Sequence, residues 1–240
     1  MTIEIRHLAS SSSGNAYLIT DRMFPPEHIL IDCGIPFKQL QRMLNHGVSK
    51  LVGCLISHEH LDHSKSAVDL MKAGIDVFTS AGTVDVLKLT GHRINRIQPR
   101  KQFRMGQRWT ILPFEVEHDA VEPFGFLIAH SGGDKLLYVT DSYYVRYKFT
   151  GLTHIMVECN YAADILDFNV SKGNVPAPMK KRIRRSHMSI ETVKEFLLAN
   201  DLSMVREIHL LHLSDGNSDA GRFKREIEML TGKPVYIADK

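Results

Sequence analysis

Three histidines and one aspartate fall within six residues, directly after an apolar segment that is expected to be a buried strand. The segment is VGCLIS at 52–57, and the sequence that follows it at 58–63 is HEHLDH. His58 and His60 are two residues apart and can converge on one cation. Asp62 and His63 can face a second one. Imidazole and carboxylate together form a ligand set for zinc, manganese or iron, so the spacing predicts a metal site at the end of this strand.

Further ligands must come from other strand ends, because four neighbouring side chains cannot complete two metal ions. His118, Asp141 and His212 each follow an apolar run at the point where it opens into a loop. A single polar residue in that position is usually an ordinary loop residue, but the H-x-H-x-D-H run favours a ligand role for all three. His209 alternates with apolar neighbours in the same run as His212 and is expected to be structural.

The combined pattern resembles the metallo-β-lactamase superfamily over nearly the whole chain. The resemblance implies the α/β fold class, as a four-layer αββα sandwich formed by one domain of residues 1–240. It implies that Asp32, in ILIDCG, supports the histidine loop. It also implies two divalent metal ions, zinc or manganese, with seven ligands: His58, His60 and His118 on the first ion, Asp62, His63 and His212 on the second, and Asp141 bridging them.

Within that superfamily the sequence resembles the YycJ/WalJ-type exonucleases and, more remotely, ribonuclease Z. The matching segments are SSGN at 12–15, SHEHLDH at 57–63, HDA at 118–120, ECN at 158–160, SHMS at 186–189 and HLSDGN at 212–217. The resemblance implies a metal-dependent phosphodiesterase, namely a DNA exonuclease that uses a metal-bridging hydroxide. His187 is then the proton donor for the leaving group and Glu158 orients its ring. Asp62 takes a second role as the acceptor of the proton from the nucleophilic water.

The basic residues are concentrated in two stretches without acids, at 86–114 and 168–190, although the net charge is only +3. The second stretch contains a basic run directly before His187, formed by Lys180, Lys181, Arg182, Arg184 and Arg185. Such stretches are either solvated faces or contacts for a polyanion. Beside a metal-dependent hydrolase they favour a nucleic-acid backbone, DNA more than RNA. Ser214 and Asn217 are expected to bind a phosphate oxygen.

Two other functions are compatible with the same residues. A small-molecule hydrolase would use the metals on a cyclic nucleotide or cyclic phosphate, a lactone or a thioester. A binding protein that keeps the fold without the chemistry is disfavoured, because all seven ligands are present.

The elements that must position these residues are short apolar strands, interspersed with amphipathic helices. Strands are expected at 16–19, 29–31, 52–57, 75–78, 108–116, 124–129, 135–140, 154–158, 207–212 and 235–238. Helices are expected around Leu40, Leu70, Val193 and Ile227, the last two with N-caps at Ser189 and at Ser218 or Asp219. The helix after HEHLDH is expected to begin near Ser64. Residues 167–188, with two prolines and the basic run, are expected to form a surface loop or lid.

The composition argues against several classes of protein. Apolar residues make up 43% of the chain and charged residues 24%, as in ordinary globular proteins. No apolar run approaches the roughly 18–20 residues of a membrane helix, and the N-terminal segment lacks the apolar stretch of a signal peptide. The three cysteines are too scattered for a disulfide framework or a cysteine zinc site. They predict buried, reduced thiols and a cytoplasmic protein.

Overall fold

The computed structural model of the protein describes residues 2–238. These residues form two compact units, one of residues 2–115 and 120–134, and the other of residues 116–119 and 135–238. The prediction of a single domain over 1–240 stays a prediction. Among the described residues, no helix is both long enough and apolar enough to cross a membrane.

A six-stranded sheet lies in the first unit, with its strands in chain order. They are β1 (Ile3–Ser11), β2 (Gly14–Asp21), β3 (His28–Ile31), β4 (Leu51–Leu55), β5 (Val77–Thr79) and β6 (Ile94–Arg96). The first three strands pair antiparallel, and β3 to β6 pair parallel. Because β3 and β4 are parallel, their carboxyl ends lie at the same edge of the sheet, where the residues discussed below follow.

The first unit also contains an antiparallel group of three strands and four short helices. The strands are β7 (Phe103–Met105), β8 (Trp109–Glu115) and β9 (Phe124–His130), and the helices are α1 (Phe37–Met43), α2 (Leu61–Ser64), α3 (Ala67–Lys72) and α4 (Ala81–Leu87). A single 3₁₀ turn spans Val48–Lys50. Leu30, Cys54, Leu70 and Val77 are fully buried in one apolar cluster. The apolar runs of β3, β4 and β5 therefore form the core of this unit, as expected for parallel strands.

Four parallel strands and four helices make up most of the second unit. The strands are β10 (Lys135–Val139), β11 (His154–Glu158), β12 (Glu207–Leu211) and β13 (Val235–Ile237), in the spatial order β13-β12-β11-β10. The helices are α5 (Ala163–Ser171), α6 (Ala177–Ser186), α7 (Ile190–Leu198) and α8 (Ala220–Thr231). The parallel pairing brings the ends of β10, β11 and β12 to one edge, where Asp141, Glu158 and His212 are found.

The helix ends of the second unit follow local sequence signals. The Ser189 side chain accepts a hydrogen bond from Thr192 N and begins α7, as predicted. Of the two candidates for α8, Asp219 is the N-cap, because its carboxylate accepts from Arg222 N at 2.8 Å. Gly232 ends α8 in the left-handed conformation, at φ 65°. All three cysteines are buried and free, as predicted.

Two of the sequence predictions are wrong at the level of elements. Residues 167–188 are not an irregular loop or lid, because they contain the end of α5 and the whole of α6. The prolines lie at the N-cap and in the first turn of α6, where the backbone N–H has no helical partner to lose. The helix after HEHLDH begins at Leu61 rather than near Ser64, so Asp62 and His63 lie in its first turn.

Candidate metal centre

The first group of candidate ligands lies in the first unit, between β4 and the end of α2. His58 Nε2 and His60 Nδ1 are 3.1 Å apart. His63 Nε2 lies 3.4 Å from Asp62 Oδ2, and the ring centroids of His58 and His63 are 4.2 Å apart. His58 and His63 are buried, whereas His60 and Asp62 are partly exposed. The structure thus brings the four predicted ligands of the HEHLDH run together.

Asp32 is hydrogen-bonded to this group of candidate ligands. It follows β3 with a left-handed backbone, at φ 56°, and its side chain is fully buried. Its Oδ1 accepts from Ser57 N at 2.8 Å, and its Oδ2 lies 2.7 Å from His63 Nδ1. A carboxylate on one ring nitrogen of a histidine fixes the orientation of the ring and directs the other nitrogen to a metal. Asp32 therefore has the geometry of a residue that orients a ligand.

A glycine allows the first turn of α2 to approach this carboxylate. A Cβ on Gly34 would lie 1.7 Å from the carbonyl oxygen of Asp62, so no other residue fits there. Beside it, Cys33 N donates to His63 O at 2.8 Å. Asn15, in the SSGN segment, places its Nδ2 3.1 Å from His63 Nε2 and 3.4 Å from Asp62 Oδ2. Asn15 therefore belongs to this site, although its position in the sequence predicts no chemical role for it.

Glu59 lies inside the HEHLDH run but points elsewhere. Its Oε1 accepts from Val121 N at 2.7 Å, and its Oε2 accepts from Thr83 Oγ1 at 3.3 Å. Thr83 belongs to α4, and Val121 lies just before β9. The carboxylate of Glu59 thus connects these two segments and is not a candidate ligand.

The second group of candidate ligands lies in the second unit, at the ends of the parallel strands. Asp141 and His212 both have left-handed backbones, at φ 43° and φ 53°. Asp141 Oδ1 lies 3.6 Å from His212 Nδ1, and its Oδ2 lies 3.5 Å from His118 Nε2. The two oxygens of one carboxylate therefore face two different histidines.

His118 is oriented by the end of α6. Its Nδ1 donates to the carbonyl oxygen of Ser186 at 2.9 Å, so its Nε2 is the nitrogen that faces Asp141. Burial lowers the pKa of His118 below its ordinary value, although Asp141 and the Ser186 carbonyl oppose this effect. A neutral imidazole with one nitrogen anchored is the form that binds a metal.

His187 pairs with a buried carboxylate. Its Nδ1 lies 2.5 Å from Glu158 Oε1, while Glu158 Oε2 accepts from Ser142 N and Met188 N. Burial disfavours the charged form of His187, but the charge and hydrogen bond of Glu158, together with the charge of Asp141, raise the pKa of His187. Conversely, burial opposes ionisation of Glu158, yet the charge of His187 lowers the pKa of Glu158. Each partner therefore favours the charged form of the other.

The donor chemistry of both groups fits a divalent metal ion. In the second unit, the candidate ligands Asp141 and His212 lie beside Glu158 and His187, with one nitrogen or oxygen atom of each of the four within 4.8 Å of the others. Imidazole nitrogens mixed with carboxylate oxygens suit zinc and manganese. His63 and His118 also have the hydrogen-bonded second nitrogen that is usual for metal-binding histidines.

The basic run predicted to flank the site forms α6, which ends at Ser186, directly before His187. Lys180 and Arg184 both pair with Asp167, at 2.8 Å and 3.3 Å. Arg182 lies 3.4 Å from Asp119. Lys181 and Arg185 make no ion pair within residues 2–238, so they carry the uncompensated charge of this helix.

In the other basic stretch, 86–114, four of the seven basic residues pair with acids of the first unit. Arg93 pairs with Asp76, Arg96 with Asp85, Arg100 with Glu115, and Arg108 with Asp21. This stretch therefore offers less unpaired charge to a polyanion than its composition implies.

The two residues predicted to bind a phosphate oxygen are hydrogen-bonded to each other, and their binding role stays a prediction. Ser214 Oγ accepts from Asn217 N at 3.3 Å, and Asn217 Oδ1 accepts from Asn169 Nδ2 at 3.0 Å. Ser214 and Asn217 thus shape the turn after β12. Asn160 lies beside them and donates to the carbonyl oxygen of His212 at 2.8 Å, which fixes the backbone of that candidate ligand.

Comparison with known proteins gives a consistent set of relatives. Residues 27–212 match the family described as the β-lactamase superfamily domain. The chain is 28% identical over 229 residues to the exodeoxyribonuclease WalJ of Streptococcus pneumoniae serotype 2, covering 88% of this chain and 81% of the relative. It is also 28% identical over 236 residues to the exodeoxyribonuclease YycJ of Bacillus anthracis, covering 91% and 85%.

Solved structures resemble the chain over almost its whole length. The metallo-β-lactamase fold protein YhfI of Bacillus subtilis has a TM-score of 0.75 at 18% identity, covering 99% of this chain and 96% of that protein. The short form of human tRNase Z has a TM-score of 0.64 at 13% identity, covering 98% and 96%. These similarities confirm the predicted α/β fold class and the predicted metallo-β-lactamase fold.

Proposed function

The chain belongs to the β-lactamase superfamily, and from this premise we propose that it is a metal-dependent phosphodiesterase that degrades DNA as an exonuclease. The coarser statement, a metal-dependent hydrolase, is supported by the fold and by the candidate metal clusters. The choice of DNA is supported by the relatives that are named exodeoxyribonucleases.

The observation that carries the proposal is the pair of His187 and Glu158 beside Asp141. Cleavage of a phosphodiester leaves an alkoxide that needs a proton, and a positioned acid supplies it. His187 Nδ1 lies 2.5 Å from Glu158 Oε1, and the pKa of His187 is raised, which favours the protonated form that can donate. Its ring stacks on that of His212 with centroids 5.4 Å apart, which keeps the donor next to a candidate ligand.

The proposal includes two divalent ions, zinc or manganese, held in the ligand pattern of the family. The seven ligands are His58, His60 and His118 for one ion, Asp62, His63 and His212 for the other, and Asp141 shared between them. The shared role is supported by the two oxygens of Asp141, which face His118 and His212. When bound, such ions lower the pKa of water and neutralise the charge that develops on the phosphate.

Side chains of the protein carry out the proton transfers and bind the substrate. Asp62, partly exposed, accepts the proton of the attacking water. His187 donates a proton to the leaving oxygen, and Glu158 keeps His187 charged and oriented. Lys181 and Arg185 on α6 attract the phosphate backbone without reading its sequence.

A nuclease assay tests the substrate. End-labelled single- and double-stranded DNA and RNA are incubated with the protein in manganese and then in zinc. We expect single nucleotides to be released from DNA, and His187→Ala to lower kcat by roughly 10²- to 10⁴-fold. The exposed His92 provides the control, since His92→Ala should cleave at the wild-type rate. Cleavage of cyclic nucleotides, cyclic phosphates, lactones or thioesters with no cleavage of DNA or RNA would favour the small-molecule hydrolase instead.

Metal analysis tests the ligand assignment. Protein purified without chelator should contain up to two equivalents of metal, and Asp141→Ala should lose most of it. His187→Ala should keep its metal, because His187 acts on the leaving group. Full occupancy in Asp141→Ala would contradict the shared role of that carboxylate, and metal loss in His187→Ala would make His187 a ligand.

A further inference from the structure

Two tyrosines reach the surface directly after Asp141. Tyr143 is 41% exposed and Tyr144 is 54% exposed, although both side chains are large and mostly apolar. Arg146 and Lys148 follow them and are also exposed, and Arg146 pairs with Glu117. No acidic residue occurs from 142 to 157. The 143–148 segment therefore presents aromatic rings together with the charge of Lys148, within a few residues of a candidate metal ligand.

The backbone of the two tyrosines is fixed. Ser142 N donates to Glu158 Oε2 at 2.9 Å, and Ser142 Oγ donates to the carbonyl oxygen of Tyr144 at 2.7 Å. Glu117 N donates to Ser142 Oγ at 3.0 Å, and Tyr143 N donates to the carbonyl oxygen of Glu117 at 3.0 Å. The same carboxylate that holds His187 thus also anchors the start of the segment. The rings are presented on a rigid support, which reduces the entropy cost of binding.

Packing does not explain the exposed rings. Val145 and Phe149 are the buried residues of this stretch, and Phe149 N donates to Asn200 Oδ1 at 2.7 Å. They attach the segment to the second unit, so Tyr143 is not needed as a core residue. Tyr144 borders a cleft of about 180 Å³ between the segment and α7, which leaves space beside its ring.

We propose that Tyr143 and Tyr144 form a stacking platform for unpaired bases at the end of the substrate strand. This inference rests on the proposed function, because it places the cleaved phosphate at Asp141. The Cα atoms of Tyr143 and Asp141 are two residues, at most about 7 Å, apart. The stacked base then belongs to one of the few nucleotides nearest that phosphate. Aromatic rings hold bases of any sequence, and Lys148 supplies charge for the backbone.

The platform has a consequence for the choice of strand. Bases inside a duplex are already paired and stacked, and removing one from the stack costs free energy. A ring that stacks on the end of a strand therefore binds a single-stranded or frayed end better than a blunt duplex end. The protein should prefer single-stranded ends and show little preference among bases.

A comparison of two substrates in the wild type and in two variants tests the platform. The probes are a single-stranded DNA oligonucleotide and the same strand with abasic sites in its terminal three nucleotides at both ends. The proteins are the wild type, Tyr143→Ala/Tyr144→Ala and Tyr143→Phe/Tyr144→Phe, each assayed for kcat and KM in manganese. For the wild type, we expect kcat/KM on the abasic strand to be lower by about tenfold or more. On the normal strand, kcat/KM of the alanine variant should be lower than that of the wild type by the same factor, mostly through a higher KM. On the abasic strand, its kcat/KM should be close to that of the wild type.

The controls separate stacking from other effects. The phenylalanine variant keeps the rings and should behave as the wild type. Tyr236→Ala removes another exposed tyrosine of the second unit, on the edge strand β13, and should leave both substrates unaffected.

Each outcome decides the question. If the wild type is active and cleaves both strands equally well, the platform is overturned. It is also overturned if kcat/KM of the alanine variant falls by the same factor on both strands. A wild type that cleaves neither DNA nor RNA, in manganese or zinc, overturns the proposed function and the platform with it.

Discussion

At the scale of single residues, the candidate centre depends on side chains that act through a neighbour. Asp32 orients His63 and Glu158 orients His187, each through one short hydrogen bond to Nδ1. Both carboxylates are fully buried. Their replacement by the matching amide keeps the volume and removes the charge, so it tests orientation and charge with little change in packing.

We predict that Asp32→Asn weakens metal binding by roughly 10- to 100-fold, the usual effect of removing such a partner. Competition with a metal-chelating dye measures the affinity, and circular dichroism checks that the variant is folded. Asp76→Asn, which removes a carboxylate paired with Arg93, is the matched control and should bind metal normally. An unchanged affinity in a folded Asp32→Asn protein would contradict the orienting role.

We predict that Glu158→Gln lowers kcat but costs almost nothing further in a protein that already carries His187→Ala. If Glu158 acts through His187, its effect disappears once the imidazole is removed. The two single variants and the double variant are compared on the same DNA strand. Additive losses would show that Glu158 has a separate task, such as holding Ser142.

The ligand candidates can be predicted from the sequence because residue type and strand-end context identify them. The left-handed backbones at Asp32, Asp141 and His212 cannot be predicted from the sequence, because no local sequence rule places a non-glycine residue in that conformation. The roles of Asn15 and Glu59 also require the structure. Asn15 reaches His63 from 48 positions away in the sequence, and Glu59 turns out of the ligand group toward α4.

At the scale of elements, α6 shows how a helix sorts its charges. Lys180 and Arg184 are four residues apart, lie on one face and share Asp167. Lys181 and Arg185 are also four residues apart and have no ion-pair partner within residues 2–238. The two pairs have the same composition, one lysine and one arginine, and differ in whether an acid neutralises them.

We therefore predict that Lys181→Ser/Arg185→Ser flattens the dependence of log K on log salt for DNA binding. The slope should fall by roughly 0.7–0.9 for each phosphate that the helix no longer neutralises. The matched variant Lys180→Ser/Arg184→Ser should change the slope less, because Asp167 already neutralises those charges. Fluorescence anisotropy at several salt concentrations measures both. Equal slopes in all three proteins would mean that α6 is a solvated face.

Elements are predictable from the sequence where the apolar pattern is long, as in β8 and β12, and where a cap is present, as at Ser189. The three-residue strands β6 and β7 are too short for a pattern to form. The helix α6 is missed because its two prolines indicate a loop, although proline also suits the first turn of a helix. In α4, the Ser80 side chain accepts from Thr83 N and caps the helix. A single serine in the sequence is not enough to predict such a cap.

At the scale of the whole molecule, a buried polar group joins parts of the first unit that are far apart in the chain. Asp21, at the end of β2, accepts from Arg108 Nε at 2.5 Å and lies 3.3 Å from His130 Nε2. Burial alone would raise the pKa of Asp21, but the hydrogen bonds of Arg108, Glu27 N and His130 lower it. Arg108 precedes β8 and His130 ends β9, so this carboxylate connects two groups of strands.

We predict that Asp21→Asn destabilises the protein by about 3 kcal/mol at neutral pH, because it breaks the ion pair of a buried carboxylate with Arg108. The folded pKa of Asp21 lies below its unfolded value, about 3.9. Its contribution is therefore complete above that value and is lost as the pH falls through the folded pKa. Urea unfolding of both proteins near neutral pH and in acid measures the difference, which should shrink in acid. A constant difference would exclude a charged Asp21.

The left-handed backbones at Asp32, Asp141 and His212 bear on how this chain evolves. Each costs of order 1 kcal/mol relative to an ordinary conformation, and glycine would remove that cost. Selection for stability acts against this cost, and selection for chemistry opposes the replacement. In a lineage without the activity, drift to glycine at these three strand ends should come early. Their identity in any descendant of this chain would then record whether the centre is still in use.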